Sequence, residues 1–157
     1  MIRDIDYFFE AIRNGDKFRM EALLAINPAL VNAKDARGFT PLIMATYMGN
    51  EIATQVLLEH HAEVDGCDAS GNTPLIGVSF KGDESLTELL IDQGANVNAC
   101  NLNGQTSLMM ATQYDNPNIA RLLIASGADK TMRNKEGKTA FDYAHEKAHN
   151  ELQEMLK

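Results

Sequence analysis

Apolar residues in this chain come in short helical bursts, most of them opened by threonine and closed by glycine. After Thr40, the residues Leu42, Ile43, Ala45 and Thr46 run at helical spacing to Gly49-Asn50, where glycine ends one helix and asparagine can cap the next. A second helix follows, with Ile52, Ala53, Val56, Leu57 and Leu58 on its buried side. The same sentence is repeated by Leu75, Ile76 and Val78, then Gly82-Asp83, then Leu86, Leu89, Leu90 and Ile91. An extended stretch, Gly94-Ala95-Asn96-Val97-Asn98-Ala99, leads into the next burst. The predicted unit is therefore helix, turn, helix and short hairpin.

The units keep strict time. Gly38-Phe39-Thr40-Pro41-Leu42, Gly71-Asn72-Thr73-Pro74-Leu75, Gly104-Gln105-Thr106-Ser107-Leu108 and Gly137-Lys138-Thr139-Ala140-Phe141 follow one another at intervals of 33 residues. In each phrase the glycine closes a tight turn and the threonine hydroxyl is placed to cap a helix. Proline in the first helical turn sacrifices no hydrogen bond. A fixed period of this length means stacked supersecondary units, each too small to bury its own apolar face and stable only against its neighbours.

Opening on Thr-Pro-Leu and closing on Gly-Ala-x-Val-Asn-Ala, the unit closely resembles the ankyrin repeat. The resemblance implies an all-α solenoid of helix-turn-helix units with short β-hairpin loops, spanning residues 1–157 as one domain. Five units are expected: an N-terminal cap over 1–34, full repeats over 35–67, 68–100 and 101–133, and a C-terminal cap over 134–157. The first unit is visible at Phe8-Phe9-Glu10-Ala11-Ile12 and Leu23-Leu24, and the last has a short, charged second helix from Asn150 to Leu156. Terminal units need one polar outer face, which these two are expected to supply. The isolated chain resembles the compact ankyrin proteins of bacteria.

Three departures from the family pattern are informative. Ile43, Ile76, Met109 and Asp142 stand where the family's turn-bracing histidine usually follows Thr-Pro-Leu, so some polar bracing between repeats is expected to be missing. His61 stands where Gly94 and Gly127 end their helices, a left-handed position, and His61→Gly is expected to stabilise by ~0.5–1 kcal/mol. Asp115-Asn116-Pro117 replaces the usual Gly-Asn-Glu turn.

Composition narrows the function classes. With 45% hydrophobic and 23% charged residues the chain is an ordinary globular one. No signal-like or membrane-spanning run is visible, so a cytoplasmic protein without membrane contact is expected. Net charge is −8 with scattered basic residues, which argues against a nucleic-acid partner. Cys67 and Cys100 lie one period apart, on adjacent units at the roughly 8–10 Å spacing of packed helices. That exceeds the ~7 Å Cα limit for a disulfide. Two separated thiols fit a structural role in a reducing compartment.

In the ankyrin architecture, hairpin tips and the exposed side of the first helices line a concave face that usually binds protein. Carried onto this sequence, those positions hold Arg37, Phe39, Tyr47, Met48, Phe80, Lys81, Leu102, Gln113 and Tyr114. Nothing in the resemblance requires large apolar groups there, and aromatic anchors beside a cation have the composition of a binding hot spot. The alternative is that some of these rings fold between units and complete the core. The expected function is a monomeric, non-catalytic module that binds a partner protein without a cofactor, with an inhibitor or immunity-type protein against one enzyme as the alternative.

One stretch points to an enzyme instead. His145-Glu146-Lys147-Ala148-His149 matches H-E-x-x-H, the pattern of a zinc hydrolase in which two histidines one helical turn apart bind metal and the glutamate is general base. In repeat register, however, His149 falls where Asn50 and Asp83 begin second helices, so the two histidines are expected to straddle a helix–turn junction. Few residues remain downstream for a third ligand, and no resident metal is expected.

Overall fold

A computed structural model describes residues 3–157. Thr40, Thr73, Thr106 and Thr139 each accept a hydrogen bond from the backbone N–H three residues ahead, as the sequence implies. Each threonine opens the first helix of a pair. The pairs are α1 (Asp4–Asn14) with α2 (Lys17–Ile26), α3 (Pro41–Tyr47) with α4 (Glu51–Glu59), and α5 (Pro74–Lys81) with α6 (Glu84–Asp92). They continue with α7 (Ser107–Gln113) and α8 (Pro117–Ala125), then α9 (Ala140–Glu146) and α10 (Asn150–Leu156). A 3-10 turn over Pro28–Asn32 stands in the first unit. The first helices form one layer, α1 on α3 on α5 on α7 on α9, and the second helices lie against them as the other.

Between the layers runs one core, built from the apolar positions of every unit, from Phe8 and Ile12 through Leu42, Leu75 and Leu108 to Tyr143 and Leu152. Two apolar expectations fail at the surface. Ile52 is 53% exposed, because it sits in the first turn of α4 at the flank of the face that carries Ala53, Val56 and Leu57. In the N-terminal unit Phe18 and Ile26 are 83% and 80% exposed, so the outer helix there is not the polar cap the sequence suggests.

The hairpins reduce to tight turns. Asp35, Asp68, Asn101 and Asn134 each donate their backbone N–H to the carbonyl of the residue four positions on, and among the described residues only an isolated bridge between Cys100 and Thr106 is formed, with no longer strand. The side chain of each turn-opening residue accepts from the amides two and four positions ahead, which holds the tip without a ladder. Neighbouring tips are stitched by Leu102 N–H to Ser70 C=O and Lys135 N–H to Asn103 C=O, both 3.0 Å. Further bracing comes from between the units: Asn32, Asp65 and Asn98 accept from the amides of Glu63, Asn96 and Asp129. Three of the four histidine positions have turned apolar, with Ile43, Ile76 and Met109 buried, while Asp142 closes a capping box with Thr139.

Cys67 and Cys100 are free and exposed, so any structural contribution they make is through their backbone in the turns rather than through packing. His61, Asp115 and Ala148 adopt left-handed backbone, with φ of 63°, 58° and 53°. The Ser107 hydroxyl, at the helix start that holds proline in α3 and α5, is buried without a hydrogen-bond partner. Ser107→Pro combined with His61→Gly is expected to raise unfolding stability by about 1–2 kcal/mol, since one change removes an orphaned polar group and the other relieves backbone strain. Denaturant titration checks this; an unchanged midpoint would refute it.

Candidate functional site

Because first helices are stacked at one unit spacing, any side chain at their last turn is repeated along an edge of the stack. Tyr47, Phe80 and Tyr114 occupy those edges and are exposed to 58%, 46% and 47%, so they stand on the surface and are not used to complete the core. The Phe80 and Tyr114 rings meet edge to face with centroids 4.6 Å apart. Tyr47 carries the Lys81 ammonium 4.2 Å above its ring, and that ammonium also donates to the Tyr47 carbonyl at 3.0 Å. Three aromatic groups from three successive units thus form one ridge.

Beside the ridge lies a cleft of about 440 Å³ whose walls are the turn tips on one side and the first helices on the other. Of the nine residues picked out in the sequence, Phe39, Tyr47, Phe80, Gln113 and Tyr114 line it. Met48 and Lys81 line an adjoining depression that shares Tyr47 with the cleft. Arg37 and Leu102 stand outside both, Leu102 as an exposed tip. Phe39 differs from the other rings in being half-buried against the core, the one case in which the packing alternative holds in part.

Arg37 has partners of its own. Its guanidinium lies 4.7 Å from the Phe39 ring centroid and donates to Asp35 at 3.0 and 3.2 Å. Partial burial works to raise the Asp35 carboxyl's pKa, but the Phe39 amide together with the Arg37 guanidinium and amide outweigh it and hold the carboxyl below its ordinary value. This cation is therefore neutralised in place. Lys138 is likewise paired, with Glu136 and Glu146. Lys81 makes no ion pair among the described residues.

The tip wall is amide-rich. Asn101, buried, accepts from the amides of Asn103 and Gln105 and donates to the Asn72 and Gln105 side chains, joining two turns into one polar surface. The cleft floor was not identified in the sequence: Ile43, Ile76, Gly77 and Met110 form it. The available signal was the 33-residue register, which places Gly77 where Met44 and Met110 stand in the flanking units. A glycine inside a helix costs about 0.5–1 kcal/mol relative to alanine.

The H-E-x-x-H stretch does not make the geometry that the zinc reading requires. His145 lies in α9 and stacks on Phe141, whereas His149 caps α10 by accepting from the Leu152 N–H at 3.4 Å, with Ala148 left-handed between the two helices. His149 Nε2 also faces Asp115 at 3.6 Å. The described residues contain no group of three or more histidine, cysteine and acidic side chains arranged to hold a metal ion. Nor is any described helix long and apolar enough to cross a membrane.

A family model described as ankyrin repeats (3 copies) matches residues 8–98 and 75–157. No match was found among curated proteins. Ankyrin repeats are in general protein-interaction modules with typically non-catalytic folds. The matched residues, the five stacked helix pairs and the capped 33-residue units agree, and the chain belongs to the ankyrin-repeat family.

Proposed function

We propose that this protein is a monomeric, non-catalytic recognition module that holds a partner protein on the concave face formed by its turn tips and first helices. The observation that carries the reading is the ridge of Tyr47, Phe80 and Tyr114, about half exposed in each case and supplied by three consecutive units. Rings that the stack does not bury serve best as anchors, because they bury large area at low entropic cost when a partner covers them. The cleft beside them is preformed by turns whose tips are hydrogen-bonded internally, so little ordering remains to be done on binding. The net charge of −8 favours encounter with a basic partner. Arg37, Phe39, Met48, Lys81, Leu102 and Gln113 complete the proposed contact surface.

The test is capture from the source cell's lysate by the native chain and by a folded variant carrying Phe39→Ser, Tyr47→Ser, Phe80→Ser and Tyr114→Ser. Anchors of this kind contribute about 2 kcal/mol each, so the variant is expected to lose its partner by more than a hundredfold in affinity. Equal capture by both chains would remove the concave face from the proposal.

A further inference from the structure

The centre of the cleft floor is a gap. Gly77 lies within α5, the middle first helix of the stack, and its backbone is ordinary right-handed helix. Apart from its chain neighbours and its own helix backbone, no heavy atom lies within 4 Å of where a β-carbon would stand. Neither of the usual reasons for glycine applies, since there is no left-handed conformation and no close approach of another chain segment. Alanine would be the better helix former at this position, and would fit. What glycine provides is an open notch in a cleft whose apolar lining includes Ile43, Ile76, Phe80 and Met110.

These apolar residues are aliphatic, thioether and aromatic, so the notch suits an apolar side chain. Four residues further along the same helix face, Lys81 stands at the end of the ridge with its ammonium over Tyr47 and no carboxylate of its own. The other cations flanking the ridge, Arg37 and Lys138, are paired within the chain. Asp68 also borders the cleft, but one of its oxygens is engaged by the Ser70 and Asn72 amides of its own turn. Asp83 and Glu84 share the depression that Lys81 lines, but Asp83 accepts from the Leu86 amide and Glu84 from the Asn118 side chain, so a carboxylate finds its unpaired cation at Lys81 and is repelled at the Asp68 end.

The geometry points to Gly77 as a specificity-determining residue: the partner presents a peptide segment that seats a leucine-, methionine- or phenylalanine-sized side chain in the Gly77 notch and sets an aspartate or glutamate nearby against Lys81. This rests on the concave-face reading and says which chemistry that face selects.

The probe is a displayed library of random dodecapeptides selected on the full chain, followed by affinity measurements on the enriched sequences. Enriched peptides are expected to share one large apolar residue with an acidic residue within a few positions. Gly77→Leu, which fills the notch, should weaken them at least tenfold. Gly77→Ala should weaken them several-fold while raising the thermal midpoint, a combination that a merely structural glycine would not give. Lys81→Gln should weaken the acidic peptide severalfold and leave its amide counterpart, Asp→Asn or Glu→Gln within the peptide, unaffected. Peptides that bind Gly77→Leu as tightly as the native chain but lose binding to Phe80→Ser and Tyr114→Ser overturn the notch and leave the concave face standing. Peptides indifferent to all these variants, or a selection that enriches none, overturn both.

Discussion

Leu75→Ala is expected to lower the free energy of unfolding by about 2–5 kcal/mol, the range for deleting a fully buried leucine whose surroundings cannot collapse into the space. Leu75 is 0% exposed in α5, which packs on α3, α6 and α7 at once. Collapse is hindered because each neighbouring helix is already held by its own N-cap, Thr40 for α3, Asp83 for α6 and Thr106 for α7. In a stack, units exchange stability only with their neighbours, so a loss in the middle weakens the coupling between the two ends. Leu156→Ala makes the contrast. Leu156 lies in α10, which packs mainly on α8 and α9, and its loss should loosen the last helix pair while leaving the rest protected. Urea denaturation reads the first effect and residue-level hydrogen exchange the second. Equal, global costs for both substitutions would mean that the stack unfolds as a single unit without nearest-neighbour character.

Asn101→Ala should cost about 2–3 kcal/mol, although it removes no apolar packing of note. Its side chain makes four hydrogen bonds, two accepted from the amides of Asn103 and Gln105 and two donated to the side chains of Asn72 and Gln105. Alanine leaves part-buried turn amides and the Asn72 side chain without partners, and such stranded groups carry a desolvation cost. Asn101→Asp separates the two halves of that network. Aspartate keeps the acceptor for the turn amides, as Asp35 and Asp68 do in earlier units, and loses the two donations to the Asn72 and Gln105 side chains. It should therefore cost well under half as much as alanine. If the two substitutions prove equal, the link between turns, and not the turn itself, carries the stability. Thermal melts of both variants at neutral pH distinguish the cases.

Much of the fold was legible because its signals are local. A threonine at an N-cap acts on an amide three residues away, and a left-handed helix end constrains a single residue; His61 and His149 were placed correctly through those signals alone, with φ of 63° at the first and a capping hydrogen bond at the second. The same register showed why His145 and His149 do not share a helix. The candidate site was legible only in part. Tyr47, Phe80 and Tyr114 could be assigned to the edge of the stack, yet whether rings at such positions lie flat on the surface or turn between units depends on volumes supplied by residues 33 positions away on either side. In the structure Phe39 is half-buried against the core and Tyr47 is exposed. Arg37 read as an available cation until its distances to Asp35 and the Phe39 ring were known.

The 33-residue phrase by itself determined the unit, its helix starts and ends, and the family, because caps, turns and periodic burial are properties of a few consecutive residues repeated in register. Tertiary structure alone decided that Ile52, Phe18 and Ile26 face outward, that Ser107 buries an unsatisfied hydroxyl, and that Gly77 leaves open space in the cleft. Each of these depends on what stands across a gap between units. Space between neighbours is set by the packing of several helices together, and no single repeat contains it.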